Sequence, residues 1–255
     1  EVPPPEQLGA RLESVLRVVY LIFNEGYAAT EGRELVRADL CVEALQLSQV
    51  LIALGAEGDR RGPARLGRGE QAELLGLRAL MLLHHSRRRA RVDERGDVVV
   101  LEQQDRARWD HQAIALGLEL LDRALTLRSP GPYQIQAAIA ALHARAPTPA
   151  DTDWAQIAAL YGALLRAAPS PVIELNRAVA VAMAEGPEVG LELLGTLERG
   201  GALEGYHLLP AARADLLRRA GRHREAIAAY EQALDLARNA AERRYLSRRV
   251  DELTP

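Results

Sequence analysis

Tyr20-Leu21-Ile22-Phe23-Asn24-Glu25-Gly26-Tyr27-Ala28-Ala29-Thr30 holds the only phenylalanine of the chain and two of its seven tyrosines. Upstream of it, Leu8, Leu12, Val15, Leu16, Val19 and Phe23 recur at three- and four-residue steps, the period of a helix that lays one apolar stripe on a partner. Gly26 reads as the stop, because a residue just past the last turn often takes positive φ. Thr30, followed by Glu31 and Glu34, reads as the cap of a second helix with acidic residues in its first turn. Residues 24–27 are therefore expected to form a tight corner between two helices, and the helix pair becomes the unit in which the rest is read.

Composition points the same way. The chain has 255 residues, 48% hydrophobic but only 4% aromatic, so its core is built from Leu, Ala and Val rather than rings. Ala, Leu, Glu, Gln and Arg favour helices, and strand formers are sparse outside Val98-Val99-Val100-Leu101. One short run cannot make a sheet and is expected as an extended connector. The expected fold is all-α: antiparallel helix pairs stacked into a tetratricopeptide-like right-handed solenoid.

The net charge of −3 carries no global footprint of a nucleic-acid binder. No lysine occurs, a bias read as a coding background more than a function. The single cysteine, Cys41, cannot form an intramolecular disulfide and sits in a helical pattern as a small buried hydrophobe. No uninterrupted apolar stretch approaches the ~20 residues of a membrane span, and no membrane partner is expected. The expected compartment is the cytoplasm.

Along the chain, Glu1 to Pro5 reads as an extended linker because of its consecutive prolines. Helices are expected at about 6–25 and 31–54, with a glycine- and arginine-rich loop at 55–69 that lacks the spacing of a phosphate-binding P-loop. A helix at 70–91 carries Leu74, Leu77, Met81 and His84 on one stripe, continued by Arg88 and Arg91. Further helices are expected from the 103–110 block to Leu127, over 133–145 and from Trp154, the last capped by Thr152 or Asp153. In the second half, helices at 172–185 and 187–198 form one pair, and 208–220 and 223–238 another, with Gly186 and Gly221 at the turns. Ala178 and Gly190 stand twelve apart, as do Ala214 and Ala226, and the two sets are offset by 36 residues. Small residues in such register let paired helices approach closely, as in a solenoid. Gly221 to Leu234 resembles the second helix of a tetratricopeptide repeat, with Gly, Ala, Tyr and Ala in step. Two parts are expected, 6–129 and 130–255, joined as one continuous domain.

No catalytic set stands out. His84 and His85 are adjacent and point about 100° apart on a helix, so they lack the i, i+4 spacing of a zinc site. Ser86 lacks a nucleophile elbow. Asn24, Glu25, His84, Arg87, Arg91, Asp105, Arg106, Trp109 and Asp110 are polar or amphipathic residues beside strongly apolar stripes, where unpaired burial is costly. They read either as a structural network or as a ligand or partner pocket. No enzyme activity and no cofactor is expected.

Five blocks occur in order: Tyr20-Leu21-Ile22-Phe23-Asn24-Glu25-Gly26-Tyr27, Leu82 to Arg88, Gln104 to Asp110, Gly131 to Ala141, and Pro171 to Ala180. With them the chain resembles the long carboxy-terminal extension of a group of bacterial extracytoplasmic-function sigma factors, over nearly its whole length. The resemblance implies a tetratricopeptide-like regulatory module that contacts the promoter- and polymerase-binding sigma domains in cis, the RNA polymerase core or a regulatory protein, and DNA only indirectly. Neither of those sigma domains is legible in this chain, which is therefore expected to be a truncation or excised domain. The blocks add Tyr27, Gln134, Asn176 and Arg177 to the candidate partner- or ligand-binding residues. A different reading is a small-molecule sensor with its pocket between the amino-terminal helices and the Asp105–Trp109 block.

Overall fold

The computed structural model describes the backbone of residues 5–61 and 66–254, with side chains over 11–55 and 66–254. Eleven α-helices and four short 3₁₀ turns occur among the described residues, with no strand beyond two isolated bridges. The fold is all-α, built from helices that pack on their neighbours in sequence.

The chain divides into two compact units. The first takes residues 1–29, 36–91 and 101–147; the second takes 30–35, 92–100 and 148–255. The boundary expected after residue 129 lies instead after Pro147, because the helix at Pro132–Arg145 packs on the helix at Arg68–His85 and belongs to the first core. Residues 1–4 of the expected linker lie outside the described residues, and Pro5 already opens a helix.

In the first unit, α1 (Pro5–Tyr27) and α2 (Ala38–Arg61) form an antiparallel pair, and α3 (Arg68–His85) packs on both. Helices α4 (His111–Thr126) and α5 (Pro132–Arg145) cover the opposite side of α3. Helix α3 is apolar nearly all round, as a helix enclosed by neighbours must be. Its Leu74, Leu77 and Met81 meet Leu16, Val19, Phe23, Cys41 and Ala44, whereas Leu75, Ala79, Leu82 and Leu83 meet Trp109, Ile114, Leu121 and Ala137. The first of these faces is the stripe read from the sequence; the second is an additional face.

The corner differs from expectation. Helix α1 continues through Gly26 with no positive φ there. Gly26 is required for space: a Cβ on it would stand 2.7 Å from the Cys41 backbone nitrogen and 2.9 Å from the Arg37 carbonyl. Thr30 is not the cap of α2, which begins at Ala38. The intervening Thr30–Leu35 segment belongs to the second unit, where Gly32 bridges to Asn239. Helix α2 also runs seven residues past Leu54, into the stretch expected as a loop. Residues 62–65 of that loop lie outside the described residues. The window Ala38–Gly55 is long and apolar enough by length and composition to cross a membrane, with mean hydropathy 1.4. It is interrupted by Asp39 and Glu43 and buries Cys41, Ala44 and Ser48.

In the second unit, α6 (Trp154–Ala167), α7 (Pro171–Glu185), α8 (Pro187–Arg199), α9 (Leu208–Arg219), α10 (His223–Leu236) and α11 (Ala240–Leu253) each pack on the next. Asp153 caps α6 by accepting from the Gln156 backbone N–H at 2.8 Å. Gly186 and Gly221 make the turns at φ +113° and +75°, a region that favours glycine. Ala178, Ala214 and Ala226 are fully buried, and a Cβ on Gly190 would strike the Ala182 side chain and stand 2.9 Å from Leu216. The 36-residue register of small residues thus lies at the helix-pair contacts. Helix α11 extends the stack by one element beyond the pairs expected from the sequence. The Val98 run makes one bridge to Val92 and no sheet.

Candidate functional site

The polar residues singled out in the first half converge on a layer at the carboxy-terminal ends of α1 and α3. Tyr27 closes α1 and stacks on Phe23, ring centroids 5.9 Å apart. Arg91 also lies over the Tyr27 ring, the guanidinium carbon 3.5 Å from the ring centroid, and donates to the Tyr27 carbonyl oxygen. That carbonyl belongs to the last turn of a helix, where cations are favoured. Arg87 Nη2 donates to the Tyr27 hydroxyl at 2.8 Å and lies 2.9 Å from His84 Nδ1. A guanidinium carries only donors, so His84 Nδ1 is the acceptor and the ring is neutral. Burial pushes the His84 pKa well below its ordinary value, with Arg87, Arg91 and His143 adding repulsion.

His143, from α5, extends this layer and was not among the residues expected from the sequence. Burial first, then Arg87 and Arg106, lower its pKa to about 4. Arg106 Nη1 donates to the carbonyl oxygens of His143 and Ala146 at 2.7 and 2.8 Å, so it closes the end of α5. Its guanidinium carbon lies 4.5 Å from the centroid of the Trp109 ring. Trp109 is buried in the core of α3, α4 and α5.

A second link runs along the same edge. Asp110 accepts from the Ala113 N–H as the cap of α4 and from Arg88 Nη1 at 3.2 Å. These bonds, the helix-cap N–H first, hold its carboxyl below the usual range. His85, buried beside Arg88, is lowered to about 4 by desolvation and by Arg88, against the opposing pull of Asp110.

Other candidates fall apart from this layer. Asp105 is exposed and accepts from the Ala107 N–H, capping a 3₁₀ turn. Asn24 is exposed and Glu25 half-buried on the last turns of α1. Gln134 is buried on α5, where its Nε2 donates to the Ser129 carbonyl at 2.8 Å and to Glu73 at 3.3 Å. Glu73 accepts from the Tyr133 and Gln134 backbone N–H groups, a cap reaching 60 residues back along the chain. Gln134 is thereby part of a helix-end clamp. Asn176 and Arg177 lie on α7 in the second unit; Asn176 is exposed, and Arg177 lines a cleft of about 310 Å³ with Glu174, Leu193 and Thr196.

Chemically the layer is cationic and aromatic. Among the described residues no group of three or more His, Cys, Asp or Glu side chains stands where it could hold a metal ion. The Cys41 thiol is buried and pushed up to about 11 by desolvation, far from thiolate reactivity at neutral pH. Beside Trp109, an open cleft of about 490 Å³ is lined by the exposed Arg89, Arg108 and His111 and by the half-buried Asp110. The Trp109 indole N–H is buried without a hydrogen-bond partner.

A family model described as a family of unknown function (DUF6596) matches residues 11–125, the part that carries α1 to α4. An uncharacterized protein of Rhizobium meliloti (strain 1021) is 48% identical over 253 residues, which is 99% of this chain and 56% of that protein. The chain therefore spans little more than half the length of the curated relative it matches. No solved structure matches it.

Proposed function

We propose that this chain is a regulatory protein-interaction module of a sigma factor of the extracytoplasmic-function type, acting on transcription initiation through contacts with the promoter- and polymerase-binding sigma domains, the polymerase core or a partner protein. The observation that carries the reading is the second unit. Its consecutive helices stack through buried small residues at a repeating register, an arrangement that presents extended faces to protein partners. The length of the Rhizobium relative is in keeping with this, because nearly half of that protein lies outside the match. The polar layer around Tyr27 then serves as a scaffold, since its charged groups are taken up by carbonyls, rings and each other. No catalytic step is assigned. The test is a pull-down in which the tagged chain is offered the sigma promoter- and polymerase-binding domains, and separately the polymerase core. Retention of either supports the module; retention of neither, at micromolar concentrations and low salt, overturns it.

A second reading, a small-molecule sensor, is favoured by one feature: the cleft beside Trp109 with its two exposed arginines. Its ligand would be anionic. Thermal-shift screening with carboxylate and phosphate metabolites separates the readings, because a ligand that binds the native state raises stability in a saturable way.

A further inference from the structure

The cleft of about 310 Å³ in the second unit is formed by α6, α7, α8 and the segment that follows α8. Its walls are apolar, with Leu165 from α6 and Leu193 and Leu197 from α8. Leu165 and Leu193 are half-buried and Leu197 is buried, so packing within the stack fixes the shape of these walls. Gly200 and Ala202 line the rest with little side chain.

Positive charge collects at this cleft. Arg177 of α7 lines it, half-buried. Gly162 of α6 has no side chain, and Arg166 Nη1 and Arg177 Nε each stand 3.9 Å from the point its Cβ would occupy, so the two guanidinium groups are near neighbours and repel. Arg199 Nη2 donates to the hydroxyl of Thr196, another lining residue, at 3.1 Å, which brings a third guanidinium to the rim. Among the described residues none of these three arginines makes an ion pair, whereas those further along the same stack are matched, Arg213 with Glu198 and both Arg218 and Arg219 with Asp215. The single carboxylate in the lining is the exposed Glu174, one turn before Arg177 on α7. Three guanidinium groups against one carboxylate leave the cleft short of negative charge, and the leucine walls favour an apolar body. Glu174 disfavours a second negative group on the same ligand. A volume at the lower end of small-molecule sites selects a short molecule.

We infer that this cleft binds a small organic monocarboxylate with a short branched apolar tail, the carboxylate held by Arg177 and the tail set against Leu165, Leu193 and Leu197. A guanidinium offers the paired donors that a carboxylate takes. The inference goes beyond the proposed function and makes no use of the Trp109 cleft. Isothermal titration of the full chain with 4-methylpentanoate should show saturable binding in the millimolar range or tighter. Affinity should be at least about tenfold lower for 4-methylpentanamide, which lacks the charge, and for acetate, which lacks the tail. R177A should weaken 4-methylpentanoate by a similar factor, and R177K should recover only part of it. Melting curves report whether the half-buried Arg177 also holds the fold. E174Q supplies a gain that unfolding cannot produce: with the like charge gone, 4-methylpentanoate should bind more tightly and isobutylsuccinate should be admitted. No saturable binding, equal affinity for the amide, or an E174Q that changes nothing overturns the proposal. So does binding that survives R177A and is lost in R89A/R108A, which assigns the anion to the Trp109 cleft. Binding of N-acetylglycyl-leucine without 4-methylpentanoate also overturns it and assigns the cleft to the end of a peptide chain.

Discussion

Arg91 lies over the Tyr27 ring, its guanidinium carbon 3.5 Å from the ring centroid, and in the same pose donates to the Tyr27 main-chain carbonyl. One side chain thus joins the end of α1 to the segment that follows α3. It combines a cation–π contact with the satisfaction of a helix-end acceptor. Removing it leaves that carbonyl without its charged donor and uncovers the ring. R91A is expected to lower stability by ~1–3 kcal/mol in urea denaturation. R91K, which keeps the charge but loses the planar guanidinium, should recover only part of the loss. A change below about 0.5 kcal/mol in R91A would mean that the pair is a surface contact of no consequence.

The same layer predicts an acid-sensitive first unit. His84, His85 and His143 are all held below the ordinary histidine value of 6.5, the last two at about 4, with burial the leading cause in each. In the unfolded chain these imidazoles take up protons near their ordinary pKa, so the unfolded state binds more protons than the native state between pH 6.5 and about 4. Stability is therefore complete above that window and falls as pH falls through it, by ~1.4 kcal/mol per pH unit for each proton taken up on unfolding. Urea midpoints measured from neutral to mildly acid pH should decline, and H143Q should make the decline shallower. A flat profile across the window would show that the histidines are solvated.

Asn239 explains why the start of α2 was not legible. It is fully buried; its Nδ2 donates to the Glu34 carbonyl at 3.0 Å, while its Oδ1 accepts from the Ala241 N–H as the cap of α11. The Ala240 N–H adds a bond to the Gly32 carbonyl at 2.9 Å. Thr30, Glu31 and Glu34 have the local chemistry of a helix start, but the segment is bent and non-helical, and Glu34 is bonded to a partner 205 residues away. Tertiary hydrogen bonding outweighs a local preference worth about 1 kcal/mol. N239A loses the cap and strands the Glu34 acceptor. It is expected to cost ~1–3 kcal/mol and to raise hydrogen exchange in both 30–35 and α11. Faster exchange in α11 alone would show that the Glu34 bond carries no weight.

What was legible rests on short-range periodicity. Phe23 on the first stripe is fully buried, Cys41 is buried as a small apolar group, and the glycines at 186 and 221 turn the chain where their pairs require. What was not legible depends on contacts distant in sequence. Gln134 and Glu73 sit 61 residues apart, and neither residue alone signals that one end of α5 will be clamped by α3. His143 lies in an alanine-rich helix with no spacing to mark it, and joins the His84 layer only through the packing of α5 on α3. The 103–110 block reads as the start of a long helix, yet Asp105 caps a 3₁₀ turn and Asp110 caps α4, so the charges there are spent on two separate helix starts.

That division of labour separates scaffold from contact surface in the block beside Trp109. Arg106 donates to two carbonyl oxygens at the end of α5 and covers the indole, so R106A should lower the melting temperature by several degrees, the effect of ~1–2 kcal/mol in a chain of this size. Arg89 and Arg108 are exposed and line the Trp109 cleft. Replacing both by Ala should leave the melting temperature within about a degree, as is usual for exposed positions. If the cleft is where a partner or anionic ligand docks, the double variant should nevertheless lose binding in the pull-down or the thermal-shift screen, because exposed arginines supply charge-assisted recognition of acidic groups. Full binding by R89A/R108A would remove the cleft from the contact surface. A melting loss equal to that of R106A would show that these two arginines, like Arg106, hold the fold.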